Sequence, residues 1–283
     1  MFDKKLLYKK VVLITGGGTG LGRSMAFAMG KHGATVVIAS RKIDVLESAK
    51  ADFVREGIDC RILTCDVRDI LSVEEMVAKV VEECGHLDIL VNNAAGNFIS
   101  PTEYLSAKGF DVIVDIVLKG TFYVTHTVGS YWIKNNIPGT VLNITTTYAD
   151  SGSGYVVPSA CGKAGVNALT RSLAVEWAKY GIRMNAIAPG PIPTEGAFSR
   201  LMPGADWEEK IKNRVPMKRF GTHDELSNLA LFLVSDLSSF INGEVINMDG
   251  GEQIKGAGQF NDLDQIPAEV WPELAKKMRK GQK

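Results

Sequence analysis

The sequence predicts an α/β fold, a doubly wound parallel sheet of about seven strands with helices on both faces. Three observations predict it. Over the first 190 residues, short β-branched runs alternate with longer stretches at helical spacing. A glycine cluster follows the first apolar run and opens the first helical stretch. No linker, fixed-period repeat or low-complexity tract divides the 283 residues, so one domain over 1–283 is expected.

The strand candidates are residues 10–14, 35–39, 60–64, 88–91, 140–144 and 183–188, with a seventh at 244–247. Between them, amphipathic stretches such as 21–32, 73–84 and 110–135 supply crossover helices, as parallel strands require. Further helices are expected over 159–180 and near 224–234. Residues 194–213 read as a loop-helix excursion after the sixth strand. Ligands of an open α/β sheet bind beyond the carboxyl ends of its strands. A substrate lid is therefore expected at 194–213, with an ordinary surface insertion as the alternative. The polar extension at 253–283 carries one helix candidate near 268–280 and is a candidate for contact with another subunit.

Composition narrows the function. Lys+Arg and Asp+Glu are both 32, which gives no electrostatic case for a nucleic-acid partner or a basic membrane-surface protein. The hydrophobic fraction of 45% excludes a mainly disordered chain. Apolar runs such as 229–234 fall far short of the roughly 20 residues a bilayer span needs, so no membrane insertion is expected. Cys60, Cys65, Cys84 and Cys161 form no C-x-x-C pair and no His stands at zinc-ligand spacing, so reduced thiols and no metal are expected. The first residues lack a signal core or transit composition, and Lys-Gly-Gln-Lys is not a peroxisomal address. A cytoplasmic location is the default expectation, or the mitochondrial matrix for a processed organellar protein.

The glycine cluster is Gly16, Gly17, Gly18, Thr19, Gly20, Leu21 and Gly22, after the strand run Val11-Val12-Leu13-Ile14. Glycines allow a tight turn whose amides approach a pyrophosphate at a helix N-terminus. Its position between a strand and a helix makes a dinucleotide site, and so a Rossmann-like sheet, the expectation. Where an NAD site would place Asp or Glu after the second strand, this sequence has Ser40-Arg41-Lys42. Arg41 can grip a ribose 2′-phosphate with two donors, so NADPH is expected. The plainer alternative is that Arg41 and Lys42 only open a solvated helix.

The spacing of Gly16, Gly20 and Gly22 resembles the short-chain dehydrogenase/reductase family, as do Cys65-Asp66-Val67, Asn92-Asn93-Ala94-Ala95-Gly96, Pro189-Gly190-Pro191-Ile192 and Asp249-Gly250-Gly251. The resemblance covers about 8–252. It implies that Asp66 contacts the adenine ring and that Pro189, Gly190, Pro191 and Ile192 line the nicotinamide amide. Most members place a Tyr four residues before Lys163, and a Ser about a dozen before that. Here Ser159 and Thr146 hold those positions. A Ser hydroxyl is a poorer proton donor than a phenol. Two readings follow from the residues: a cofactor-binding sensor without chemistry, or an enzyme served by another phenol. Tyr148, just past the fifth strand, is that phenol or a packing aromatic.

Thr145-Thr146-Thr147-Tyr148-Ala149, the run from Asn93 to Glu103, Val156-Val157-Pro158-Ser159-Ala160, Lys163-Ala164-Gly165-Val166 and the segment Gly196 to Leu201 resemble the 2,4-dienoyl-CoA reductases of mitochondrial type. The resemblance implies that Tyr148 and Asn97 meet the thioester oxygen, and that Ser159 and Lys163 complete the catalytic set. Lys163 would also hold the nicotinamide ribose. Arg68, Phe98, Ser106 and Arg200 are implied as acyl-CoA contacts. The implied reaction is NADPH-dependent reduction of a 2,4-dienoyl-CoA to a trans-3-enoyl-CoA in unsaturated fatty-acid β-oxidation. Another NADPH-dependent enoyl thioester reductase, such as a trans-2-enoyl-CoA reductase, stays open, as does the sensor. Helices 110–135 and 159–180 are implied to pack between subunits of a homotetramer.

Overall fold

The computed structural model describes residues 2–194 and 205–280. Seven parallel strands form one sheet: β1 (Val11–Thr15), β2 (Thr35–Ser40), β3 (Cys60–Thr64), β4 (Ile89–Asn92), β5 (Gly139–Ile144), β6 (Ile182–Pro189) and β7 (Val245–Met248). Their order is β3-β2-β1-β4-β5-β6-β7. The chain thus winds outward from β1 in one direction and from β4 in the other. The crevice between these two strands, at their carboxyl ends, is the topological switch point where such sheets bind ligands.

Strand periodicity sorts the core into two layers. Val12 and Ile14 of β1, with Val36 and Ile38 of β2, join Met25, Ala26 and Met29 of α1 (Gly20–Lys31). Helices α2 (Ile43–Arg55) and α3 (Ile70–Cys84) cover opposite faces: Leu46 and Phe53 lie in that first layer, Val73 and Val80 in the second. The second layer holds the alternate residues, Val11, Leu13, Val37 and Ala39. Every strand residue of β1 is therefore apolar on both faces except Thr15 at its end, where the site begins.

Over the second layer runs one continuous helix, Ala107–Lys134. It comprises α4 (Ala107–Val114), a π turn at Asp115–Lys119 and α5 (Gly120–Lys134). Its length and composition are those of a membrane span, beyond what the short apolar runs led one to expect. Here it lies on the sheet, with Val124, Val128 and Trp132 buried against Val141 and Met184. A short helix α6 (Tyr148–Ser151) precedes α7 (Val157–Trp177), which packs beside it. The remaining α-helices among the described residues are α8 (Ala205–Arg214), α9 (His223–Val234), α10 (Glu252–Ala257) and α11 (Trp271–Lys280). Helix α8 lies in the second half of the 194–213 segment; residues 195–204 lie outside the described residues. All four cysteines are free thiols.

Candidate active site

An open cleft of about 2300 Å3 follows the carboxyl edge of the sheet. At one end Gly16, at φ +66°, turns the chain out of β1. Thr15 braces this turn: its Oγ1 accepts from the amides of Asn93 and Ala94, both at 3.1 Å. Asn93 Nδ2 in return donates to the carbonyls of Thr15 and Gly16, each at 3.1 Å. A Cβ on Gly22 would stand 2.4 Å from that amide nitrogen, so only glycine lets α1 start this close to β4. Gly17 is behind the wall, against Ile38 of β2, and is not among the cleft-lining residues.

This cradle fits a dinucleotide. Thr19 makes no side-chain cap to α1, and the first turn holds no acidic residue. The amides and positive end of a 12-residue helix are thus offered to an anion. Gly16, Gly18, Thr19, Gly20 and Leu21 line the cleft, followed by Arg41, Lys42 and Asp66. Hydrogen bonds from Arg68, and to a smaller extent the charge of Arg41, hold the Asp66 carboxyl below its usual range. The far wall is Pro189, Gly190, Pro191 and Ile192.

The catalytic candidates converge between these walls. Tyr148 opens α6, directly after β5. Asn97 leaves β4 on the neighbouring loop, and its Nδ2 lies 3.3 Å from the Tyr148 hydroxyl. Ser159 Oγ is 3.1 Å from the same hydroxyl, from the first turn of α7. One turn on, Lys163 is 7% exposed, and its ammonium donates to the carbonyl of Ile144 at the end of β5. Burial pushes Lys163 down to about 8. The loop carrying Asn97 is tied to the loop that leads into α7 by the Ser100 amide, which donates to the Tyr155 carbonyl at 2.9 Å. Tyr155 has φ +66°, a strained value for a side-chain-bearing residue, held between α6 and α7. The phenol, an amide and a second hydroxyl thus form one chain of hydrogen bonds that can present donors to a single acceptor oxygen.

The acyl-CoA candidates are less gathered. Arg68 is exposed and paired with Asp66, with Nε 2.9 Å from Oδ1. To meet a phosphate it must share or leave that pair. Ser106 caps α4, accepting from the Gly109 amide at 3.1 Å. Phe98 is 37% exposed beside Asn97. None of these three is among the residues lining the cleft. Arg200 lies outside the described residues.

The cleft has walls that the sequence reading missed. Arg214 at the end of α8, His223 of α9, and Gln253 and Lys255 of α10 line it, beside Lys210 from the 194–213 segment, where a lid was expected. The Gln253 side chain donates to the Thr147 carbonyl at 3.2 Å, next to Tyr148. Arg214 pairs with Glu252, joining α8 to α10. Much of the segment 252–265 therefore lines the chain's own cleft. The helical spacing of this segment carries no signal of which face it covers.

Comparison with known proteins accords with this geometry. The family model described as enoyl-(acyl carrier protein) reductase matches residues 16–253. The chain belongs to the short-chain dehydrogenase/reductase family and is an oxidoreductase of that class. Within it, the chain is 47% identical over 248 residues to a Caenorhabditis elegans protein named Probable 2,4-dienoyl-CoA reductase 3, (3E)-enoyl-CoA-producing, covering 86% of this chain and 80% of that one. It is 43% identical over 245 residues to the Bacillus subtilis Probable 2,4-dienoyl-CoA reductase, (2E)-enoyl-CoA-producing, covering 86% and 96%. Among solved structures, a short chain dehydrogenase from Bacillus anthracis superposes with TM-score 0.79 at 44% identity, covering 86% of this chain and 96% of that one. An actinorhodin polyketide ketoreductase with NADPH superposes with TM-score 0.82 at 29% identity, covering 86% and 97%.

Proposed function

We propose that this protein is an NADPH-dependent 2,4-dienoyl-CoA reductase that forms a trans-3-enoyl-CoA and serves unsaturated fatty-acid β-oxidation. The observation that carries the reading is the displaced phenol: Tyr148 hydrogen-bonded to both Asn97 and Ser159, with Lys163 one turn below. Bound NADPH would supply hydride to the far end of the conjugated diene. Negative charge then develops on the thioester oxygen, and a proton from water or from Tyr148, taken up by the carbon next to the thioester, completes the trans-3-enoyl product. Tyr148 and Asn97 donate hydrogen bonds to the thioester oxygen, and one such donor is commonly worth about 3 kcal/mol of barrier. Ser159 orients the phenol through its 3.1 Å contact. Lys163 holds the ribose and supplies positive potential. Gly16, Gly18, Thr19, Gly20 and Leu21 hold the diphosphate, and Arg41 with Lys42 grips the 2′-phosphate.

The two relatives' names differ in the position of the remaining double bond. The test is to reduce 2,4-hexadienoyl-CoA with NADPH and read the product by NMR, with trans-2-enoyl-CoA as a parallel substrate. The 3E product is expected. A 2E product would overturn the regiochemistry, and turnover of the 2-enoyl thioester alone would replace the reading with a different enoyl thioester reductase. Assembly as a homotetramer is part of the same proposal, supported by apolar residues exposed on the two long helices: Phe122 at 43% on α5 and Val175 at 82% on α7.

A further inference from the structure

The turn offered to the diphosphate and the turn offered to the nicotinamide are joined by a histidine that no motif accounts for. His223 is the first residue of α9, whose N-terminus is fixed by a capping box: Thr222 Oγ1 accepts from the Glu225 amide, and Glu225 accepts from the Thr222 amide. The His223 ring then reaches both walls. Its Nδ1 is 2.6 Å from Ser24 Oγ, in the second turn of α1. Its Nε2 is 2.7 Å from the Pro193 carbonyl, where the chain leaves the turn after β6. Ser24 Oγ is also 3.2 Å from the Gly20 carbonyl, in the phosphate turn itself. A second tether runs alongside, from the Gly221 amide to the Pro191 carbonyl at 3.1 Å. A neutral imidazole with its proton on Nε2 satisfies both ring contacts, donating to the Pro193 carbonyl and accepting the one Ser24 hydroxyl proton in place of the Gly20 carbonyl.

We infer that His223 is a positioning residue for the cofactor, a rigid two-ended brace that sets the spacing between the phosphate turn and the Pro189–Pro193 turn. The ring touches no reacting atom. An imidazole has its two nitrogens at a fixed separation and little conformational freedom, so it holds the two turns in register before the ligand arrives. A site already ordered spends less binding free energy on ordering. This inference rests on the proposed binding of NADPH, and the experiment separates the two.

The dissociation constant of NADPH is measured by fluorescence titration for the wild-type protein, His223→Leu, His223→Gln and Ser24→Ala, with the melting temperature of each in the absence of cofactor. Re-ordering two turns that the ring no longer holds together predicts about tenfold weaker NADPH binding for His223→Leu. Loss of the two contacts should lower the melting temperature by only a few degrees, and KM for NADPH should rise far more than kcat falls. Gln can donate to Pro193 and accept from Ser24, so His223→Gln should recover most of the affinity, while Ser24→Ala should lose part of it. Unchanged affinity in His223→Leu overturns the inference. So does a parallel fall in affinity and melting temperature that Gln does not rescue, which would make the ring a structural support only. A wild-type protein that does not bind NADPH overturns the functional reading itself.

Discussion

At the scale of single residues, the site turns on one phenol with two hydrogen-bond partners. Tyr148→Phe removes the hydroxyl shared by Asn97 and Ser159 while leaving the ring in place. Its expected effect is a loss of roughly 100-fold in kcat, the cost of one oxyanion donor, with NADPH affinity near that of the wild type. Steady-state kinetics with a cofactor titration reads both. Lys163 gives a second prediction. Burial lowers it to about 8, so in the free protein it is charged below that pH and neutral above it. The charged form favours an anionic cofactor. NADPH affinity should therefore fall as pH rises through about 8, and Lys163→Met should lose both affinity and that pH dependence. These residues were legible in the sequence because a missing Tyr four residues before Lys163 forces the question of where a phenol stands. His223 was not, since nothing in its neighbours reveals that Ser24 and the Pro193 carbonyl lie on either side of it.

At the scale of elements, the strands declared themselves through β-branched runs, and the seven expected strands match the seven observed to within a residue or two at their ends. The π turn at Asp115–Lys119 did not. A wider turn leaves the apolar pattern on both sides intact, so periodicity reads straight through it. Packing between elements also sets tolerances that composition hides. Gly139 opens β5 beneath Trp132, whose indole is fully buried and donates to the Leu87 carbonyl at 2.6 Å. A Cβ on Gly139 would meet that ring at 2.4 Å. Gly139→Ala should destabilise the fold by about 1–3 kcal/mol in a denaturant titration, since neither the strand nor the anchored ring can withdraw cheaply.

At the scale of the whole molecule, the winding of the sheet accounts for why distant segments meet. The Gly16–Gly22 turn, the Asn97 loop, Tyr148 and Pro189–Ile192 follow β1, β4, β5 and β6, and parallel order puts all four carboxyl ends on one edge. That much follows from strand-helix alternation. The closure of the edge by residues 252–265 does not, because it depends on tertiary contacts such as Gln253 to the Thr147 carbonyl. Assembly belongs to this scale too. Val175 is an exposed apolar residue on α7, so the proposed tetramer predicts that Val175→Glu leaves the protomer folded and gives species smaller than the wild type in light scattering. The central claim is tested most directly by mixing the purified protein with 2,4-hexadienoyl-CoA and NADPH, with NADH in parallel, and following the dienoyl and cofactor absorbances together. The account predicts that both fall in equal molar amounts, faster with NADPH than with NADH. Tight NADPH binding with neither absorbance changing would contradict it.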